Sequence, residues 1–500
     1  MAISFNEIPA DNMVPLFATE FDPGAAAKGG AIPWKNLLIG QALPTADGEN
    51  IGALKQITSD AQADVLFGAG SQIALMCRAF RKSAPTMELW ALAVKDSSLD
   101  STAADKATGS ITVSFASGTS ATKSGSISLM IAGQGVDVNV TAGQTEALIA
   151  AAIATAINDN SQLPVTATNS SGVVTVSAKN AGALGEEIDI RYNHFKGETL
   201  PGNVSLAVVA MDGAGSDETY NSENVGDIIS GVWFNAVGIG SSKNSNVNYI
   251  KGLLDERWKA TVQQLGEGFY FVGGANVTAS SMVAEGNDRN SNVLNITGIA
   301  SSPTPGFVQA AAVMGACALS ALGDPALPLT NVAVPGIVAP KMEDYLGLAE
   351  NNDLLKAGVA LLVAGNDGTV YLKRMVTTYK ENALGAADKS YMQLEDCFTL
   401  SYLRWDWNNH LQTKFPRAKI GTDGDEYGPG QIIMTEKTGL AEIKLKYKEW
   451  VRAGLVQNQK LFEENVVCVR DPNDRNAMQW LVPATLMDKF FIGKTKISMQ

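Results

Sequence analysis

Histidine and cysteine are scarce in this 500-residue chain: His194 and His410 are the two histidines, and Cys77, Cys317, Cys397 and Cys468 the four cysteines. The cysteines stand singly in apolar surroundings, which excludes a disulfide framework or paired zinc spacing and leaves them as buried reduced thiols. Neither histidine has a nucleophile or metal-ligand pattern at useful spacing, so both read as surface or hydrogen-bonded residues. A basic surplus is missing as well. The net charge is -13, whereas a nucleic-acid binder needs a basic face to neutralise phosphates. The first ten residues, MAISFNEIPA, lack a basic n-region and a hydrophobic run, so no secretory signal and no membrane insertion are expected.

Phosphate and metal loops are also incomplete. Gly493-Lys494-Thr495 imitates the end of a P-loop, but Asp488 stands where its first glycine belongs. Gly238-Ile239-Gly240 follows a strand, yet Lys243 replaces the third glycine of a dinucleotide fingerprint. Asp423, Asp425 and Glu426 lack the liganding glutamate of a calcium loop and read as a solvated turn. The expectation is no enzyme, no catalytic residue, no metal and no cofactor.

What is present centres on Asn287 to Pro340. No charged residue lies between Arg289 and Asp324, so the elements encoded there belong in a core. Val293 to Ile299 reads as a buried strand and Gly306 to Leu322 as a helix, with Thr304 as N-cap and Pro305 at the first helical position. Gly323 ends it and Pro325 blocks its continuation. This helix is short for a membrane span and is built from Ala, Gly and Ser rather than Leu and Ile, which suits a packed core helix.

Upstream, WKNLLIG (34–40) is strand-like, Ser59 with Gln62 makes a capping box, and Ser71 opens a helix with Ile73, Met76 and Phe80 on one face. ELWALAV (88–94) returns as a strand, and strand, helix, strand implies a parallel crossover. Residues 101–200 hold 13 charged side chains against 27 in residues 401–500. ITVSF, SISLMIA, VDVNV and VVTVSA alternate there as strands, interrupted by a helix carrying Ile149, Ile153 and Ile157. The α/β pattern resumes at VWFNAVGI (232–239), a helix with Val247, Ile250, Leu254 and Trp258, and GFYFVGG (268–274). ALLVAG and VYLKRMV form a hairpin around Asn366, Asp367 and Gly368. A long helix with Leu400, Leu403, Trp407, Leu411 and Phe415 ends at Pro416. Another, about Thr438 to Ala453, has the apolar face Leu440, Ile443, Tyr447, Val451 and a basic stripe of Lys437, Lys444, Lys448 and Arg452. A Glu442–Lys446 pair at i, i+4 would make that stripe an ordinary solvated face. An inward surface gripping an acidic partner is the other reading, since residues 401–500 carry 15 basic and 12 acidic side chains in an otherwise acidic chain.

The segments NDRNS (287–291), SPTPG (302–306), GDPALPL (323–329) and PGIVAP (335–340) occur in an order that resembles the tail sheath proteins of Mu-like contractile-tailed bacteriophages. SDAQADVLFGAGS (59–71), FRKSAPTMELWALAV (80–94), TLSYLRWDW (399–407), KFPRAKI (414–420) and YGPGQ (427–431) extend the resemblance across nearly the whole chain. It implies a structural subunit that stacks in rings as a helical homo-oligomer around a tail tube protein, meets baseplate and tail terminator proteins, and contracts to drive the tube through the host envelope. It also implies a virion tail location after assembly in the host cytoplasm. A sheath of a non-virion injection system has the same chemistry, and a nucleotide-binding α/β enzyme is the reading from a different class.

The expected fold is α/β and α+β multidomain, a discontinuous α/β core (31–98 and 213–345) with an inserted β-rich outer domain (99–212) and a C-terminal α+β inner domain (346–488). The core pattern on both sides of the β-rich stretch makes that stretch an insertion, and the resemblance implies that it projects outward. Arms flank this body at 1–30 and 489–500. The first arm, with Ile3, Phe5 and Ile8, lies along its own domain or on a neighbour. The second, with Phe490, Phe491, Ile492 and Ile497, closes its own sheet or adds to a neighbour's edge. Because sheath C-terminal domains line the tube, the resemblance makes Lys444, Lys448 and Arg452 candidates for a tube-facing surface.

Overall fold

The computed structural model describes residues 34–96, 106–213 and 215–498, so Ile3, Phe5 and Ile8 lie outside the described residues. Helices and sheets are mixed throughout. Asn36–Gln41 (β1), Leu54–Gln56 (β2), Asp60–Phe67 (α1), Gln72–Ser83 (α2) and Leu89–Val94 (β3) open the fold. β1 and β3 pair in parallel with Leu38 opposite Ala91, the crossover that strand, helix, strand requires. Ser71 caps α2 by accepting from the Ala74 N–H at 3.2 Å. Ser59 likewise accepts from the Gln62 N–H, but the Gln62 side-chain Oε1 accepts from the Thr58 N–H at 2.8 Å, so the expected capping box closes one residue early.

Thr108–Phe115 (β4), Gly125–Ile131 (β5), Gln134–Val140 (β6), Glu146–Asp159 (α3), Val165–Ser170 (β7), Val173–Ala178 (β8), Ile190–Tyr192 (β9) and Val204–Asp212 (β10) follow. They form two sheets, ordered β10-β4-β8-β7 and β6-β5-β9, all of whose pairings are antiparallel. Ile149, Ile153 and Ile157 of α3 are fully buried between them, each contributing about 1.5–3 kcal/mol of apolar burial. The core they join draws only on residues between Ala107 and Met211.

A single turn, Asp227–Ile229 (α4), leads to Ala236–Ile239 (β11), Asn244–Trp258 (α5), Glu267–Phe271 (β12), Ala279–Asn287 (α6), Leu294–Thr297 (β13) and Gly306–Gly323 (α7). These return to the first sheet, whose order is β13-β12-β11-β1-β3-β2; all pairings are parallel except β2 with β3. One face packs on Val247, Ile250 and Leu254 of α5 and Met282 of α6, the other on α2 and α7. Both faces being covered, β1, β11, β12 and β13 are buried at every position.

α7 is long and apolar enough to cross a membrane, yet 72% of it is buried inside the fold. Its small residues let it lie against α2: a Cβ on Gly315 would come within 2.8 Å of the Phe80 carbonyl oxygen. The expected cap is displaced by one residue. Pro305 occupies the N-cap position, and the Thr304 hydroxyl accepts from the Val338 N–H at 2.9 Å. Thr304 therefore holds the 335–340 segment against the helix start rather than capping it.

Val332–Ala333 (β14), Leu348–Ala357 (α8), Leu361–Ala364 (β15) and Val370–Arg374 (β16) follow, and β15 and β16 form the expected hairpin. The remainder is Leu394–Lys414 (α9), Lys419–Ile420 (β17), Ile433–Met434 (β18), Glu436–Arg452 (α10), Val456–Gln457 (β19), Gln459–Asn465 (α11), Val467–Arg470 (β20), Met478–Leu481 (β21) and Thr485–Leu486 (β22). Its core gathers Leu403, Ile443, Tyr447, Trp450 and Phe462, with the Tyr447 and Phe462 rings stacked at 3.7 Å. All four cysteines are free and buried.

Candidate functional site

In an open α/β sheet a ligand would sit beyond the carboxyl ends of the strands where the strand order reverses, here between β1 and β11. Residues 180–188 fill that place. Asn180 donates to the Ala42 carbonyl and to Asp96, each at 2.8 Å, the Leu184 N–H meets Asp217 at 3.3 Å, and the Gln72 amide bonds to the Gly240 carbonyl. The space left among Gln41, Gln72, Asn180, Leu184 and Phe307 is about 20 Å³, room for about one water. No metal-sized group of three His, Cys, Asp or Glu occurs among the described residues. The larger hollows are open grooves. One of about 590 Å³ is edged by Glu343, Asp344, Glu350 and Asp353, and one of about 430 Å³ by Trp258, Trp407 and Trp450.

The two surfaces singled out in the sequence lie in the C-terminal part. On α10, the buried residues are Gly439, Ile443, Tyr447 and Trp450; Leu440 and Val451 are half-buried, so the buried face is turned slightly from the expected one. The Glu442–Lys446 pair does not form. Lys446 is ion-paired with Asp406 of α9 at 2.9 Å and with Glu449 at 3.0 Å, while Glu442 meets His410 at 2.9 Å and Lys414 at 2.7 Å. Burial works to raise the Glu442 carboxyl, but the hydrogen bonds from Lys414 and His410 outweigh it and hold it below the usual range. Trp450 also donates to Asp406, at 2.6 Å. The intrahelical pair loses because α9 brings partners that bury the charges further.

Lys444, Lys448 and Arg452 are left over from this network. They share one stripe of α10, with Lys448 and Arg452 exposed and Lys444 half-buried, and no ion-pair partner for them occurs among the described residues. The other surface is the chain end. Residues 488–498 pair with no strand among the described residues. Phe490, Ile492 and Ile497 are 83%, 66% and 85% exposed. Phe491 behaves differently: its ring lies 4.6 Å from the Arg374 guanidinium. Just before it, the Lys489 ammonium is ion-paired with Asp396 and its side chain is 4% exposed. Sequence reasoning missed Asp396, Arg374 and Lys489, since nothing local marks partners that lie 93 positions apart in one pair and farther in the other.

A free strand edge is also present. β20 and β21 pair only with each other. Val467 stands opposite Leu481, and Val467, Val469 and Leu481 are exposed. On the inner side Cys468 packs toward Gly439 and Trp480.

Residues 218–378 match the family model described as the phage tail sheath protein central domain. Among curated proteins, the chain is 31% identical over 493 residues to the Mu-like prophage FluMu tail sheath protein of Haemophilus influenzae, covering 98% of each. Among solved structures, it is similar to a sheath tail protein of Listeria innocua, with 12% identity, TM-score 0.47 and 91% and 92% of the two chains covered. The helical sheath of the anti-feeding prophage in its contracted state gives 10% identity and TM-score 0.49, covering 98% and 100%.

Proposed function

The chain belongs to the phage tail sheath family and is a structural subunit of a contractile sheath; we propose that many copies polymerise as stacked rings around a tail tube and contract to drive it through the host envelope. The reading rests on one observation, the identity of 31% running over 98% of both chains. A switch-point crevice closed to about 20 Å³ leaves no room for a nucleotide at that place, which counts against the nucleotide-binding reading. In the virion tail its partners would be further copies, the tube protein, and the baseplate and tail terminator proteins.

The domain arrangement proposed for this task is the discontinuous one. The sheet built from β1–β3 and β11–β13 is the core, residues 99–212 are an inserted outer domain, and residues 346–488 form the inner one. A core made only of residues 107–211 supports the first division. On contraction each subunit moves as a folded body while its interfaces exchange between two packings.

Arms carry the connection through that motion. The unpaired segment after Lys489, rich in exposed apolar side chains, supports Phe490, Phe491, Ile492 and Ile497 as an arm that adds to a neighbour's sheet, with Ile3, Phe5 and Ile8 as its N-terminal counterpart. The free edges and apolar outer face of β20 and β21 suit the receiving role, since an added strand gains backbone hydrogen bonds of about 1 kcal/mol net each. Lys444, Lys448 and Arg452, without an ion-pair partner among the described residues, suit a tube surface that is acidic. Negative-stain microscopy of the purified protein at rising concentration, with and without tube, tests the whole. Hollow striated cylinders that disappear on deleting residues 489–500 support sheath and arm together. Cylinders that survive remove the C-terminal arm, and a persistent monomer in the presence of tube removes the polymer.

A further inference from the structure

The chain end enters solvent from a buried charged cluster rather than from apolar packing. Lys489 donates to Asp396 at the start of α9 and to the Met487 carbonyl at 2.9 Å. Two residues on, Phe491 lies over Arg374 at the end of β16. Behind them Glu395 accepts from the Leu329 N–H at 2.7 Å through one oxygen, while its other oxygen and the Arg374 Nε are buried without a hydrogen-bond partner. Burial pushes the Glu395 carboxyl up and the Arg374 guanidinium down. Beyond Phe491 the segment has no strand partner among the described residues, and Ile492 and Ile497 are exposed.

We propose that Lys489, Asp396, Phe491 and Arg374 form a clasp that fixes the root of the terminal segment to its own subunit, so that the swinging arm begins at Ile492 and pivots at Gly493. This rests on the reading of that segment as an inter-subunit arm. An ion pair suits such a root. A buried ammonium tolerates one partner geometry and is heavily penalised without it, so the exit direction is specified, whereas apolar contacts would let the root slide. Gly493 is the first residue past the clasp without a side chain, and a Cβ there would make only ordinary contact, 3.4 Å from Phe490. The pivot therefore lies where backbone freedom is greatest.

The tail carries its own probe, because Lys489, Lys494 and Lys496 are all trypsin sites and the clasp distinguishes them. In the native full-length subunit trypsin is expected to cut after Lys494 and Lys496 while the bond after Lys489 resists, read by mass spectrometry. Asp396→Ala should raise cleavage after Lys489 by about tenfold or more. Phe491→Ala, which leaves α9 untouched, should raise it in the same direction with the melting temperature retained. Lys489 cut as fast as Lys494 in the unmutated protein, or no change in either variant, overturns the clasp. Assembly separates this from the arm reading. If the unmutated protein forms cylinders, both variants should need a higher concentration to do so, and unchanged assembly would overturn the directing role. If it forms none even with tube, the arm reading fails while the cleavage pattern still decides whether the root is clasped.

Discussion

Ile153 sits at the centre of α3, fully buried between Ile149 and Ile157 in a core that draws only on residues 107–211. Ile153→Ala deletes three carbons. At about 0.8 kcal/mol for each buried methylene the transfer loss is roughly 2.4 kcal/mol, and incomplete closure of the cavity brings the cost to roughly 3–4 kcal/mol, inside the range for such truncations. Because neither the β1–β11 sheet nor the C-terminal cluster shares this core, the loss should fall on one cooperative unit. Hydrogen exchange followed by mass spectrometry reads it directly. Amides of α3, β4 and β8 should lose roughly 150- to 900-fold in protection, while those of β1, β3, β11 and α7 keep theirs. Thr155→Ala on the exposed side of the same helix is the control and should change little. Equal loss in β1 and β11 would refute the reasoning, because the two parts would then unfold together and the insertion would be one only in sequence.

Gly306→Ala should cost roughly 1–3 kcal/mol by overpacking, since its Cβ would fall 2.2 Å from the Phe271 ring and 2.7 Å from the Gly273 carbonyl. Gly323→Ala, with nothing within 4 Å, should be neutral; similar melting shifts for both would refute the packing argument. Glu267 is buried on β12 and accepts from Asn295 at 3.0 Å, and burial holds its carboxyl well above the usual range. A raised carboxyl contributes stability that is complete below the unfolded value near 4.5 and is lost as pH rises through the folded one. Glu267→Gln should therefore flatten the fall in unfolding free energy above that pH by up to about 1.4 kcal/mol per pH unit, read by denaturant melts across pH, and parallel profiles would count against it. Reversing Lys444, Lys448 and Arg452 together to Glu should leave the subunit folded and weaken co-sedimentation with tube on the order of tenfold at low salt, less at high salt. Undiminished co-sedimentation would remove that surface.

The amino-acid sequence by itself determined the features that depend on neighbours a few residues apart. The Ser71 cap, the Ile149–Ile153–Ile157 stripe, the hairpin at β15 and β16, and the buried helix in the charge-free stretch after Arg289 all follow from periodicity, turn chemistry and the cost of burying charge. The order of motifs along the chain also sufficed for the family, because that order needs no geometry.

Only the tertiary structure decided which distant groups meet. Thr304 has a good capping side chain, but the 335–340 segment arrives to take its hydroxyl. Glu442 and Lys446 have the right spacing to pair, yet α9 supplies each with partners in a less hydrated place, and the better-buried charge pair prevails. The closing of the β1–β11 crevice by residues 180–188 and the burial of Lys489 against Asp396 join residues separated by tens to hundreds of positions. A side chain's local pattern states what it can bond; its partner is chosen by the packing of sheets and helices that brings one distant group, rather than water, within reach.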